Sequence, residues 1–235
     1  MADRKVGTTE SQIISLRKAK LIELRAQGNC YPNDFERNII VADLIARYEK
    51  TEGTELDLVE EKFSIAGRIM TKRVMGKASF AHLKDMSGRI QIYLTKDKLG
   101  EQSYAEFKKW DLGDIVGVRG RIFRTQKGEL SLSVEATRLL TKSLRPLPEK
   151  WHGLADTETR YRQRYLDLIM NDDAMRVFKV RSKIIEVIRK FLTEQGFLEV
   201  ETPMMHPIPG GANAKPFVTK HNSLDMDLYL RIAPE

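Results

Sequence analysis

The sequence is poor in the residues that build covalent cross-links and metal centres. It has one cysteine, Cys30, which excludes an internal disulfide and a cysteine-rich zinc site. Its four histidines are scattered without metal-ligand spacing, so we predict no metal-binding residues in this span. No apolar run approaches the ~18 residues that cross a membrane, and the first residues do not resemble a secretory signal. We therefore expect a soluble, cytoplasmic protein.

Positive charge is present but unevenly distributed. The chain of 235 residues is 41% hydrophobic and 31% charged, which is a globular balance, and its net charge is +7. Residues 63–145 carry 17 Lys/Arg against 8 Asp/Glu, whereas residues 146–235 carry 13 of each. A basic block of domain size is typical of nucleic-acid binding, although a lysine-rich soluble surface would give the same count.

Hydrophobic spacing changes along the chain from a helical period to a period of two. Val41, Leu44, Ile45 and Tyr48 form one helical stripe within residues 1–62, a segment to which we assign no chemistry. From Phe63 onwards apolar and polar residues alternate in five segments, with a helical segment between the third and the fourth. This order predicts an OB-fold barrel over residues 63–145.

The remainder predicts a linker and the start of another domain. Residues 146–170 contain two prolines and an aromatic-basic run, so we assign them as a linker or hinge. In residues 171–235, Asp172 or Asp173 is predicted to cap a long helix that Gly196 ends, and residues 197–200 are predicted as a short strand.

Strand parity predicts a recognition face on the outside of the barrel. If the apolar residues of the second and third strands fill the barrel, then Phe80 and Gln91 point outward, and Glu129 has the same outward parity next to a turn. An aromatic ring can stack a base, an amide can read its edge, and nearby cations can hold phosphates. Two alternatives stay open: a neighbouring helix could cover Phe80, and Gln91 and Glu129 could be ordinary solvated residues. His82 is predicted to be a surface residue.

Several segments of the chain carry the motifs of one enzyme family. Residues 190–205, which end in Thr-Pro-Met-Met, resemble motif 1 of class II aminoacyl-tRNA synthetases, and an OB-fold precedes motif 1 in the aspartyl, asparaginyl and lysyl subgroup. Within that subgroup the lysyl pattern is matched by further segments: Arg68 and residues 75–80, 127–131, 161–168, 210–219 and 230–235. The chain therefore resembles class II lysyl-tRNA synthetases of the bacterial type.

The resemblance implies an α+β protein, in which N-terminal helices and a five-stranded OB barrel precede the beginning of an antiparallel α/β catalytic domain. It also implies roles for particular residues: Phe80 stacks an anticodon base, Arg68, Gln91 and Glu129 read a U-rich anticodon, Gly211 and Glu235 hold lysine, and Pro203 lies at a dimer interface. A carboxylate at Glu235 suits the α-ammonium of lysine, because a desolvated ammonium needs a charge-assisted acceptor.

The activity implied is an ATP-dependent lysine–tRNA ligase that acts with Mg²⁺ as a homodimer on tRNA-Lys. Motifs 2 and 3 and the Mg²⁺ ligands of the family are not found in this span. We therefore expect no catalytic residue here and no lysine activation by these 235 residues alone in an ATP–pyrophosphate exchange assay. The alternatives are a stand-alone OB-fold RNA-binding module and an aspartate or asparagine–tRNA ligase.

Overall fold

The computed structural model describes residues 10–148, 154 and 156–234, and the chain divides into two compact units, Met1–Gly153 and Leu154–Glu235. The first unit begins with three helices, α1 (Glu10–Gln27), α2 (Val41–Tyr48) and α3 (Gly53–Leu56). Gly28 follows α1 with a φ of 137°, as expected for a residue that ends a helix. The stripe predicted for α2 lies inward, and Leu44 is fully buried.

Five strands of the first unit form a closed barrel in the order β1-β2-β3-β5-β4. They are β1 (Phe63–Met75), β2 (Ala78–Lys84), β3 (Arg89–Thr95), β4 (Ile115–Arg124) and β5 (Leu130–Thr141). Neighbouring strands are antiparallel except β3 and β5, which are paired in parallel. The helices α4 (Lys96–Leu99) and α5 (Glu101–Lys109) lie between β3 and β4. The predicted α+β class and OB barrel are confirmed, with α4 as an additional helix.

The predicted alternation along the strands produces the core. Inward side chains of all five strands are buried, whereas the residues between them on β2 and β3 are partly or fully exposed. The barrel core comprises Phe63, Ile65, Ile69, Ala81, Leu83, Ile90, Ile92, Leu94, Val116, Val118, Ile122, Leu132 and Val134. Burial of this apolar surface is the main stabilising contribution to the barrel.

Register shifts in the strand pairing interrupt the regular alternation of β1 and β4. Between Ile69 and Thr71 the register of β1 shifts, so that Thr71 and Arg73 take the outward face although strict alternation would place them inward. A second shift precedes Gly120, where a Cβ atom would lie 2.0 Å from the carbonyl oxygen of Ser133. Only glycine therefore fits at position 120 of β4.

The turn between β2 and β3 caps helix α2. The residue before this helix, Ile40, offers no side-chain cap. Instead the Val41 amide donates to the Asp85 carboxylate at 2.9 Å, and the Ala42 amide donates to the Ser87 hydroxyl at 2.9 Å. Burial opposes ionisation of Asp85, but hydrogen bonds from backbone amides and Ser87 outweigh it and lower the pKa of Asp85. A negative charge at a helix N-terminus is stabilising.

A buried ionic cluster ties the end of β5 to the loop before β4. The ammonium of Lys142 lies 2.6 Å from Asp111 and 2.7 Å from Asp114, with 2% of its side chain exposed against 0% for Asp114. Lys20 of α1 reaches Asp111 at 2.9 Å. Burial opposes ionisation of Asp111, yet hydrogen bonds from Lys142 and Lys20 lower its pKa. Because both carboxylates are paired, the cluster tolerates burial.

The second unit combines three helices and a small antiparallel sheet. The helices are α6 (Thr157–Arg162), α7 (Arg164–Met170) and α8 (Asp172–Glu194), and the sheet contains β6 (Met205–His206), β7 (Val218–His221) and β8 (Met226–Leu230) in the order β6-β8-β7. Asp167 is buried between α6 and α7, where it accepts hydrogen bonds from Arg160 and Arg164. Within the described part of the chain, no helix combines the length and apolarity needed to cross a membrane.

Two predictions for the second unit were wrong. The cap of α8 is Asn171 rather than Asp172 or Asp173: its side-chain oxygen accepts from the amides of Asp173 and Ala174 at 3.1 and 3.4 Å. Both aspartates lie inside the first turn, where their charge still complements the helix dipole. The predicted strand over residues 197–200 is not formed, and these residues pair with none of the described strands. The domain bounds proposed from sequence remain predictions.

Candidate nucleic-acid interface

The outer face of β1, β2 and β3 presents its side chains in ordered rows. Residues opposite each other in the strand pairing share a row, and successive rows lie two residues, or ~7 Å, apart along the strands. The rows contain Arg73, Phe80 and Tyr93; then Thr71, His82 and Gln91; then Arg68, Lys84 and Arg89. The first two rows therefore place an aromatic pair directly beside a polar pair.

The polar row continues into one hydrogen-bonded chain that links β1, β2, β3 and β5. Thr71 Oγ1 lies 2.7 Å from His82 Nδ1, and His82 Nε2 donates to Glu129 Oε1 at 3.1 Å. Gln91 Nε2 donates to Glu129 Oε2 at 2.8 Å, and the Ser131 hydroxyl donates to Gln91 Oε1 at 3.0 Å. Gln91 and Glu129, which sequence parity predicted on one face, are in direct contact.

This pair offers complementary hydrogen-bonding groups to a ligand. Gln91 retains one amide N–H beyond the bond it makes to Glu129, and the Glu129 carboxylate retains accepting lone pairs. An N–H donor next to a carboxylate acceptor matches a base edge that carries a carbonyl next to an N–H, as uracil does. Cytosine presents an acceptor where uracil has its N3–H, so it would place a lone pair against the carboxylate.

Aromatic rings extend along the neighbouring row. Phe80 is partly exposed on the outside of the barrel, and its ring centroid lies 4.8 Å from that of Tyr93. Tyr93 in turn lies 5.8 Å from Phe123 of β4. The strand between them, β5, carries the small residues Ser131 and Ser133 on this side, which leaves room for the two larger rings to meet. A partly exposed aromatic surface is suited to base stacking.

Arg68 is placed differently from the other three predicted anticodon residues. It lies beyond the polar row, and its Nη1 atom donates to the Gly113 carbonyl at 2.7 Å. Burial lowers the pKa of the Arg68 guanidinium, and Asp114 partly offsets this effect. The structure thus brings Phe80, Gln91 and Glu129 together, and it ties Arg68 to the loop before β4. The predicted contact of Arg68 with RNA stays a prediction.

Some residues of this surface escaped sequence reasoning. His82 was assigned to ordinary surface, yet it joins Glu129 to Thr71. Thr71 and Arg73 were missed because the β1 irregularity reverses their parity, and Phe123 was missed because a ring contact across β5 has no local signal. Exposed cations surround the face at Arg73, Lys77, Arg89 and Lys127.

The remaining predicted site residues lie in the second unit. Gly211 is exposed and has a φ of 92°, a conformation that favours glycine. Glu235, the predicted partner of the lysine ammonium, lies outside the described residues. Pro203 is exposed after α8, and one stripe of α8 is exposed as well: Val177, Val180, Ile184, Ile188, Phe191 and Leu192.

Two families match successive parts of the chain. Residues 63–140 match the OB-fold nucleic acid binding domain, and residues 156–235 match the class II tRNA synthetases of the D, K and N group. These matches cover the barrel and most of the second unit.

Curated relatives match nearly the whole chain. Lysine–tRNA ligase of Dechloromonas aromatica is 58% identical over 98% of this chain and 46% of its own length. The ligases of Thioalkalivibrio sulfidiphilus and Thiobacillus denitrificans are 54% and 60% identical, over 100% and 96% of this chain and 47% and 45% of their own lengths. The chain thus spans about half the length of these relatives.

Proposed function

The chain belongs to the class II lysyl-tRNA synthetases, and from this premise we propose that its barrel reads the anticodon of tRNA-Lys within an ATP-dependent lysine–tRNA ligase. The observation that carries the proposal is the contact between Gln91 and Glu129, with Phe80 in the adjacent row. The Gln91–Glu129 pair can hydrogen-bond to a base edge and Phe80 can stack on a base, both on one basic domain. Recognition of an unpaired, U-rich RNA loop requires these two kinds of contact.

In the catalytic part, we assign Gly211 and Glu235 to lysine binding, on the resemblance alone. The reaction has two steps: the lysine carboxylate attacks the α-phosphorus of ATP and releases pyrophosphate, and the terminal tRNA hydroxyl then accepts the lysyl group and releases AMP. Positioning and charge neutralisation dominate such transfers. We assign neither step to a described residue.

ATP and Mg²⁺ enter the proposal through the family. Among the residues that the structure describes, no three His, Cys, Asp or Glu side chains are grouped to hold a metal ion. The described residues therefore do not fit a Mg²⁺ site.

The protein is also proposed to act as a cytoplasmic homodimer. The exposed apolar stripe of α8 supports this assembly, because exposed apolar surface of that extent is stabilised by a partner. Pro203 follows this helix and belongs to the same proposed interface.

One binding experiment tests the anticodon assignment. We expect Phe80→Ala to weaken binding of an RNA hairpin with a UUU loop by about 1–3 kcal/mol, the contribution of one base–aromatic stack. Tyr31→Ala is the matched control, since Tyr31 is an exposed ring outside the barrel strands and its loss should leave affinity unchanged. Equal affinities of the Phe80 variant and the wild type would exclude the stacking role.

The same assay distinguishes base-specific contacts from non-specific electrostatic binding. Gln91→Ala and Glu129→Ala should reduce the preference for the UUU loop over a UCU loop, because base-edge contacts carry discrimination. If affinity for both loops fell equally, Gln91 and Glu129 would have a structural role in the barrel and no role in base discrimination. Charging assays of the complete protein with lysine, aspartate and asparagine distinguish the three ligases, and a stand-alone RNA-binding module would charge none.

A further inference from the structure

His82 occupies the centre of the polar chain on the outer face. Its two ring nitrogens contact different elements: Nδ1 lies 2.7 Å from Thr71 of β1, and Nε2 lies 3.1 Å from Glu129 beside the β4–β5 turn. The His82 side chain is 19% exposed, whereas that of Glu129 is 49% exposed. The more buried His82 ring thus donates a hydrogen bond to the more exposed Glu129 carboxylate.

The partners determine where the proton of the ring lies. The Glu129 carboxylate can only accept, so the short contact requires a proton on His82 Nε2. In the neutral ring Nδ1 then accepts from the Thr71 hydroxyl, and both nitrogens are satisfied. The ring orientation is therefore fixed at both ends by hydrogen bonds.

The Glu129 side chain depends on its neighbours for a fixed orientation. Its backbone is anchored to Thr125, which accepts from the Glu129 amide at 3.1 Å. Its carboxylate accepts from His82 on one oxygen and from Gln91 on the other. A glutamate side chain has enough rotamer freedom that an unheld carboxylate would sample several orientations.

We propose that His82 is a positioning residue for base recognition: it orients the Glu129 carboxylate so that Glu129 and Gln91 present one fixed acceptor and donor pair. This inference rests on the proposed anticodon function of the same surface. His82 acts through Glu129, and its role is to make the pair selective for a base with a carbonyl next to an N–H. Because Glu129 and Gln91 are already oriented before binding, less conformational entropy is lost when the base binds.

Three substitutions separate positioning from stability. His82→Leu removes both hydrogen bonds, and His82→Asn leaves a polar group near Thr71 that is too short to reach Glu129. His82→Gln restores an amide N–H close to the former Nε2 position. Asn38→Ala is the control, because Asn38 makes two hydrogen bonds at the start of β1, to Ser64 and Lys62, away from the polar chain.

The experiment measures binding of the full 235-residue chain to hairpins with UUU and UCU loops, with thermal unfolding of each variant alongside. We expect the UUU/UCU affinity ratio to fall about five-fold or more in the Leu and Asn variants, within the range of one base-edge contact. The ratio should recover in the Gln variant and stay unchanged in Asn38→Ala. An unchanged ratio in the Leu and Asn variants, or no recovery in the Gln variant, overturns the role of His82. A wild-type chain that does not prefer UUU overturns the anticodon function itself.

Discussion

Asp85 connects the β2–β3 hairpin, which carries the proposed recognition face, to helix α2. Its removal therefore tests how that hairpin is anchored. In Asp85→Ala the amides of Val41, Ser87 and Gly88 lose their acceptor. Loss of a helix cap costs about 0.5–2 kcal/mol, and a hydrogen bond to a charged group contributes about 1.5–3 kcal/mol. Since the turn amides are only partly buried and regain water, we expect a total loss of about 2–4 kcal/mol.

Asp85→Asn removes the charge and one of the two acceptor oxygens. The carboxylate accepts from Val41 on Oδ2 and from Ser87 and Gly88 on Oδ1, so an amide keeps only one of these two sets of hydrogen bonds and weakens the interaction with the α2 dipole. We expect a loss of about 1–3 kcal/mol at neutral pH. The pKa of Asp85 is lowered in the folded protein, because its hydrogen bonds outweigh the effect of burial. Its stabilisation is therefore complete above the unfolded pKa of about 3.9 and disappears as the pH falls through the lower folded pKa. The difference in stability between the wild type and the Asp85→Asn variant should shrink accordingly.

Urea unfolding followed by far-UV circular dichroism at pH 7 and at pH 3 measures both effects. The UUU/UCU affinity ratio of the folded variant should be unchanged, because Asp85 lies at the turn and not in the polar chain. An Asp85→Ala protein as stable as the wild type at pH 7 would refute the cap, and a difference that grows on acidification would refute the sign of the charge effect.

Two further predictions concern the barrel itself. Gly120→Ala should cost more than about 3 kcal/mol in thermal unfolding, because its Cβ would meet a backbone carbonyl at 2.0 Å. Gly53→Ala, whose Cβ would lie 3.8 Å from its nearest neighbour, should change stability by less than about 1 kcal/mol. Lys142→Met leaves the buried Asp114 without its cation and should cost about 3–5 kcal/mol, whereas Lys20→Met removes a more exposed pair and should cost less than about 1 kcal/mol.

The period of two in hydrophobicity predicted the barrel because alternate residues of a barrel strand are buried in its core. The period of two over β2 and β3 placed Leu83 and Ile92 inside and Phe80 and Gln91 outside, and the structure agrees at each position. Gly28 ends α1 with a φ of 137°, a conformation that is accessible mainly to glycine.

The misses have three physical causes. The β1 irregularity is not encoded in alternation, so Thr71 and Arg73 could not be assigned to the outer face. Contacts between distant elements depend on side-chain rotamers, which is why His82 was taken as ordinary surface. The cap of α8 was missed by one residue because Asn171 and the two aspartates after it are all good caps.

The parallel pairing of β3 with β5 has a consequence for biosynthesis. Gln91 is made well before Glu129 and Ser131, and the segment between them must fold back before these side chains can meet. Contacts between residues so far apart in sequence form late in folding. Closing a long loop costs conformational entropy before the contact contributes any stabilisation. On the ribosome, a nascent chain that ends before β5 has an open sheet edge on β3, and Ser131 is not yet present to donate to Gln91.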